Sequence, residues 1–144
     1  MSSDKSPGTE DTVKGQVFAE HRRLDVLFVE ARDAFEGKKE GSDSALEAFH
    51  ALREALETHF DQEDRLYYPA IWALRQDLKT GLREFVAEHE KFRSQLENID
   101  AVLAREEFEA GGRAIEALAG EFGRHEVREE SMLRGLSREL EDAD

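Results

Sequence analysis

The sequence predicts an all-α protein folded as an up-down-up-down four-helix bundle. Three observations carry that expectation. Helix-favouring Ala, Leu and Glu are abundant, while only two of the 144 residues are proline. Apolar residues recur at steps of three, four or seven in four separate stretches, which is the period of one helix face. Short or moderate polar segments separate the stretches, as connections between antiparallel neighbours require. The length suits one domain with a single core.

Taken in order, residues 1–11 are expected to form a disordered tail, because Met-Ser-Ser-Asp-Lys-Ser-Pro-Gly contains no apolar signal core. The helical domain is expected over 12–140, with 141–144 as a C-terminal tail. The first helix, Thr12 to about Phe35, puts Val13, Val17, Leu24, Phe28, Ala31 and Phe35 on one stripe, with His21 among them. Glu36 to Asp43 is a polar loop with two glycines, and Ser42, Asp43 or Ser44 can cap the second helix. That helix extends to about Tyr67 with Leu46, Phe49, Leu52, Leu56, His59, Glu63 and Leu66 inward; Pro69 ends or kinks it. Residues 70–77 read as a short helical connector in which Ile71, Trp72 or Leu74 caps the core. The third helix, from Lys79–Leu82 to about Ala104, carries Leu82, Phe85, Val86, His89, Phe92, Leu96, Ile99 and Leu103. Arg105 to Gly112 is the last loop. The fourth helix turns Ile115, Leu118, Phe122, His125, Glu129, Met132, Leu136 and Leu140 inward.

Composition narrows the chemistry. A formal net charge of -14 disfavours nucleic acid and anionic membrane as partners. No apolar run approaches the ~20 residues of a membrane span, so a cytoplasmic protein is the expectation. The absence of cysteine excludes disulfides, thiolate metal sites and cysteine nucleophiles. A bound metal must then be held by imidazole and carboxylate, which suits iron, manganese or zinc. No glycine-rich phosphate loop follows a strand, and no serine nucleophile arrangement stands out.

Each predicted helix carries one histidine on its apolar stripe. Ala-Glu-His occurs at 19–21 and at 87–89, and His-x-x-x-Glu followed by an acid occurs at His59/Glu63/Asp64 and at His125/Glu129/Glu130. The second hairpin therefore copies the first. Residues of an antiparallel hairpin share a height when they are equidistant from the turn. His21 and His59 are equidistant from position 40, His89 and His125 from 107, and His59 and His89 from 74, each within a connection. All four imidazoles thus fall in one layer, with Glu63 and Glu129 about one turn, ~6 Å, along the axis. Two carboxylates in an apolar layer cost several kcal/mol each, or stay protonated, unless a cation satisfies them. The pattern predicts a two-metal site of His21, His59, Glu63, His89, His125 and Glu129. His50 lies nine residues before His59, a rotation of about 180°, and is expected at the surface.

The sequence resembles the hemerythrin-like, or HHE cation-binding, domain from about Val13 to Leu140. The matching segments are Glu-His-Arg-Arg-Leu-Asp (20–25), His-Phe-Asp-Gln-Glu-Asp (59–64), Glu-His-Glu-Lys-Phe (88–92) and His-Glu-Val-Arg-Glu-Glu (125–130). The resemblance implies a non-heme centre of two iron ions bridged by two carboxylates and an oxo or hydroxo group, with dioxygen, peroxide or nitric oxide as the small ligand. It puts His21, His59, His89 and His125 at ligand positions and Glu63 at a bridging position. The second bridge is Glu129 by the spacing shared with His59 and Glu63, or Glu130 by the spacing of the oxygen carriers. The carriers' additional third-helix histidine is replaced by Phe85. Asp25 and Tyr67 are candidates for a further ligand, or for hydrogen bonding and packing around the site.

The functional expectation is a di-iron protein that binds or senses dioxygen or a reduced oxygen species. Phe60, Phe85, Phe92 and Phe122 would keep its pocket dry. The alternatives are peroxide decomposition or iron handling at the same site, and, from another class, a metal-free structural or partner-binding bundle.

Overall fold

The computed structural model describes residues 9–36 and 42–143. Residues 1–8 of the expected 1–11 tail, the Gly37–Gly41 turn, Asp144 and the side chain of Leu140 lie outside them; residues 9–11, and 141–143 of the expected C-terminal tail, are helical. The chain is an all-α, up-down-up-down bundle of four long helices with a short helical insert, and no strand occurs among the described residues. α1 spans Thr9–Glu36 and α2 spans Ser42–Gln62. A π-helical turn, Glu63–Tyr67, joins α2 to the short α3, Tyr68–Leu74. A 3₁₀ turn at Gln76–Leu78 leads into α4, Lys79–Ala104, and α5 spans Phe108–Ala143.

The expected stripes form most of the core; on α5 Met132 is half-buried, and Leu133 beside it is the buried residue. Two apolar clusters stack along the bundle axis. One, toward the α1–α2 and α4–α5 connections, includes Leu24, Phe28, Phe49, Leu56, Leu96, Ile115 and Phe122. The other, under α3, includes Val13, Val17, Ile71, Leu82, Phe85 and Leu133. Between them lies a buried layer of polar side chains. At roughly 25 cal/mol per Å² of apolar surface removed from water, these clusters stabilise the bundle; the polar layer needs another explanation.

Three local readings change. Pro69 neither ends nor simply kinks the second helix. The Tyr68 N–H bonds the Glu63 carbonyl five residues back, so the helix widens by one residue ahead of a proline that has no N–H to offer. That extra residue rotates the helix beyond it. Leu66, expected inward, is 63% exposed, whereas Tyr68 is buried. Of the connector residues, Ile71 alone caps the core, and Trp72 and Leu74 are exposed.

The last connection is shorter than expected. Glu106 takes a left-handed φ of 63°, letting its N–H bond the Leu103 carbonyl and the Glu107 N–H bond the Val102 carbonyl. This arrangement closes α4 as a Schellman turn. Gly111 and Gly112 already belong to α5. A Cβ on Gly111 would collide with Leu103 Cδ2, so glycine serves close helix packing there and not the turn.

Candidate metal centre

One residue in each turn of helix sets the geometry of the polar layer. His59 of α2 and Glu63, the first residue of the π turn that continues it, are four residues apart and face the same way; on α5, His125 and Glu129 repeat the arrangement. His21 of α1 and His89 of α4 complete the layer. All six side chains are buried, Glu63, His89, His125 and Glu129 completely. Glu129, and not Glu130, is the carboxylate that faces inward. His50 is exposed and pairs with Asp100.

The inward atoms form two groups that share Glu63. His21, His59, Glu63 and Glu129 make one and Glu63, His89 and His125 the other, with the donor atoms of each group lying within 4.8 Å of one another. His21 Nε2 is 3.0 Å from Glu129 Oε1 and His89 Nε2 is 3.0 Å from Glu63 Oε1. His59 Nε2 lies 3.2 Å from Glu63 Oε2, and His125 Nε2 lies 3.8 Å from Glu129 Oε1.

What turns the Nε2 atoms inward is a second set of acids. His21 Nδ1 bonds Glu130 at 2.7 Å, His59 Nδ1 bonds Glu20 at 2.5 Å, His89 Nδ1 bonds Asp64 at 2.8 Å and His125 Nδ1 bonds Glu88 at 2.5 Å. Each acid comes from a helix adjacent to its histidine, so the four contacts run once around the bundle: α1 to α5 to α4 to α2 and back to α1. These acids are the flanking residues of the repeated Glu-His and His-x-x-x-Glu-acid patterns. The repetition is visible in the sequence, but their partners lie on other helices. An Nδ1–H held by a carboxylate fixes the tautomer and leaves a lone pair on Nε2, the form that binds metal. Glu88→Ala is therefore expected to weaken metal binding by about 10–100-fold, measured by competition with a chelator, while the helical content stays unchanged.

Tyr68 is the donor that a uniform helical period misses. Its O–H donates to Glu129 Oε2 at 2.5 Å, and its oxygen lies 3.1 Å from Glu63 Oε1 and 3.5 Å from His89 Nε2. The π turn puts it five residues from Glu63 on the same face. Tyr67, the expected candidate, instead donates to Glu20 at 3.1 Å at the margin of the layer. Asp25 is exposed and lies beside Glu126, away from the inward donors. Phe85 sits 5.2 Å from the His125 ring, and Phe60 stacks on His89 at 4.5 Å. Phe92 and Phe122 also pack against His125.

The electrostatics are those of a site built for added positive charge. Burial and the neighbouring Glu129 carboxylate push the Glu63 carboxyl well above the usual range. Burial also acts on Glu129, but hydrogen bonding to Glu63 and His21 outweighs it and lowers that carboxyl, so the pair shares one proton. Burial alone would lower His21 and His89; their paired carboxylates outweigh it and raise both. Burial wins at His125, which is lowered. His59 Nε2 and Glu63 Oε2 lie 3.2 Å apart and are buried without a hydrogen-bond partner. A cation between them satisfies both, in place of the proton that burial otherwise keeps on Glu63. The donors are imidazole and carboxylate only, the set that suits iron, manganese or zinc.

Two grooves reach the layer from outside. One of about 320 Å³ between α1 and α2 passes Arg23, Glu54, Thr58 and Gln62 and ends on Glu20 and His59. The other, about 170 Å³, passes Trp72, Lys79 and Arg83 and ends on Asp64 and Tyr68. No helix of the described residues is long and apolar enough to cross a membrane.

Fold and site together define a helical bundle with a buried histidine–carboxylate centre suited to metal. The family model described as the hemerythrin HHE cation-binding domain matches residues 15–136. The chain belongs to that family. No curated protein and no solved structure gives a significant match.

Proposed function

We propose that the chain is a non-heme di-iron protein that binds dioxygen or a reduced oxygen species for oxygen or redox sensing. The observation that carries this reading is the pair of donor groups sharing Glu63, each closed by imidazole nitrogens whose other nitrogen is held by an acid. His21, His59, His89 and His125 would hold the two ions, and Glu63 and Glu129 would bridge them. Iron bound there supplies reversible redox chemistry and open positions for a small oxygen or nitrogen oxide ligand.

The chain's own residues do the rest. The outer acids Glu20, Asp64, Glu88 and Glu130 orient the imidazoles and offset positive charge. Phe60, Phe85, Phe92 and Phe122 line the layer and exclude bulk water. Tyr68 O–H, aimed at both inward carboxylates, holds a proton or gives it up to become a further oxygen donor. Burial and the neighbouring Glu63 and Glu129 raise its pKa, so the phenol keeps its proton until a cation arrives.

A second reading, peroxide decomposition, is favoured by Phe85. It occupies the position of a further histidine, so no imidazole there saturates one of the ions, and Tyr68 stands by with a proton. Expression in iron-rich medium followed by metal analysis tests the first reading: about two irons per chain are expected, with a visible spectrum that changes on adding peroxide. Less than one iron and no spectral change would overturn it. Oxygen release from peroxide would favour the second reading. Tyr68→Phe is expected to retain iron and alter the visible spectrum; an identical spectrum would remove Tyr68 from the donor set.

A further inference from the structure

The two halves of the bundle are related by their repeated motifs, and one comparison between them is unequal. His59, Glu63 and Asp64 correspond to His125, Glu129 and Glu130, while Glu20 and His21 correspond to Glu88 and His89. By the same offsets Phe60 corresponds to Glu126, and Arg93 to Asp25. On the α2–α4 side, Phe60 stacks on His89 and Arg93 lies over the Phe60 ring at 5.5 Å. Arg93 also bonds Asp64 at 3.1 Å, and so plugs that side and neutralises its outer acid.

The α1–α5 side has carboxylates at both positions. Glu126 is 7% exposed, and its Oε2 has no hydrogen-bond partner. That oxygen lies 3.8 Å from His21 Nδ1, a nitrogen already bonded to Glu130. The exposed Asp25 shares a hydrogen bond with the Glu126 carboxyl and leaves Oε2 unpartnered. Arg134 pairs with the far oxygen of Glu130 at 3.5 Å and is itself largely exposed. The result is a line of carboxylates from solvent to His21, whose ring spans the interval to Glu129.

We propose that Asp25, Glu126 and Glu130 form an entry site for a hydrated divalent cation on the α1–α5 face, from which the ion moves past His21 to the buried centre. The oxygen-only donor set suits a hard, hydrated ion at the point where it begins to lose water. A nearly buried carboxyl oxygen without a partner is costly in a fold whose other half has phenylalanine there, and a captured cation satisfies it. A local cluster of one charge sign raises counter-ion concentration and uptake rates by about 10-fold or more.

This inference rests on the reading of the centre as a metal site, and the test separates the two. Full-length protein stripped by a chelator is mixed with cobalt(II) alone, and the visible absorption is followed as nitrogen donors replace water. Glu126→Gln and Asp25→Asn are expected to load at least ~10-fold more slowly than the unaltered chain and to reach the same final absorption. Glu54→Gln removes the same charge from the α1–α2 groove and is expected to load at the unaltered rate. Asp25 is exposed, so its variant reports even if Glu126→Gln folds poorly. Loading of both variants at the unaltered rate, equal slowing by Glu54→Gln, or a lower final absorption in Asp25→Asn would overturn the entry site. If the unaltered chain takes up no cobalt, the metal reading of the centre falls and the entry site with it.

Discussion

Glu63→Gln is expected to leave the bundle folded and to lower metal affinity by more than ~100-fold, beyond the range seen for residues that act through a ligand. Glu63 is the one residue common to both donor groups, so its loss disables both. The amide resembles the protonated carboxyl that burial and Glu129 favour at this position. That likeness sets the sign of the pH effect. A carboxyl whose pKa is raised on folding costs nothing below its unfolded value, and its cost grows as pH rises above that. Stripped of metal, Glu63→Gln should therefore match the unaltered chain near pH 4 and exceed it in stability at neutral pH. Metal content after dialysis and denaturant titration at two pH values check both halves. A variant that keeps its metal would show that Glu63 is not shared by the two ions.

The second large effect is on the fold. Phe122→Ala is expected to cost about 3–5 kcal/mol of stability, with or without metal. The Phe122 ring stacks with Phe28 at 5.7 Å, meets Phe60 and Phe92 edge-on, and touches the rings of His21, His59 and His125. It joins the apolar cluster to the polar layer, so truncating it leaves a cavity bounded by side chains that cannot collapse without displacing an imidazole. Urea titration of the stripped protein measures the loss. A cost below ~1 kcal/mol would mean that the layer is held chiefly by its hydrogen bonds.

Much of the fold and of the centre is legible in the sequence for identifiable reasons. The four histidines fall on stripes that are otherwise apolar, and equal distances from the connections put them at one height. Spacing also favours Glu129 over Glu130 as the inward acid, since four residues along a straight helix preserve a face and five do not. Contact between helices and departure from the regular period are not legible in this way. Glu20, Asp64, Glu88 and Glu130 look like solvated neighbours of the site, because nothing along one helix reveals which imidazole of another it meets. A period of 3.6 carried through Glu63–Tyr67 points to Tyr67 in place of Tyr68, because the helix widens there. Pro69 is the only signal of that widening, and it indicates a disturbance without its form. The glycine pair at 111–112 looks like a turn, although close packing against Leu103 and Phe35 explains it better.

The circuit of acid–imidazole contacts has a consequence for how the two hairpins assemble. Two of its links, His59 with Glu20 and His125 with Glu88, close within a hairpin; the other two, His21 with Glu130 and His89 with Asp64, cross between hairpins. Leucine and phenylalanine stripes tolerate sliding and repacking. The crossing links do not, because a slip of one helical turn, about 5.4 Å, breaks both together and strands four polar groups. The polar belt thus acts as a vernier for the assembled halves, admitting a single vertical alignment where greasy surfaces alone would admit several.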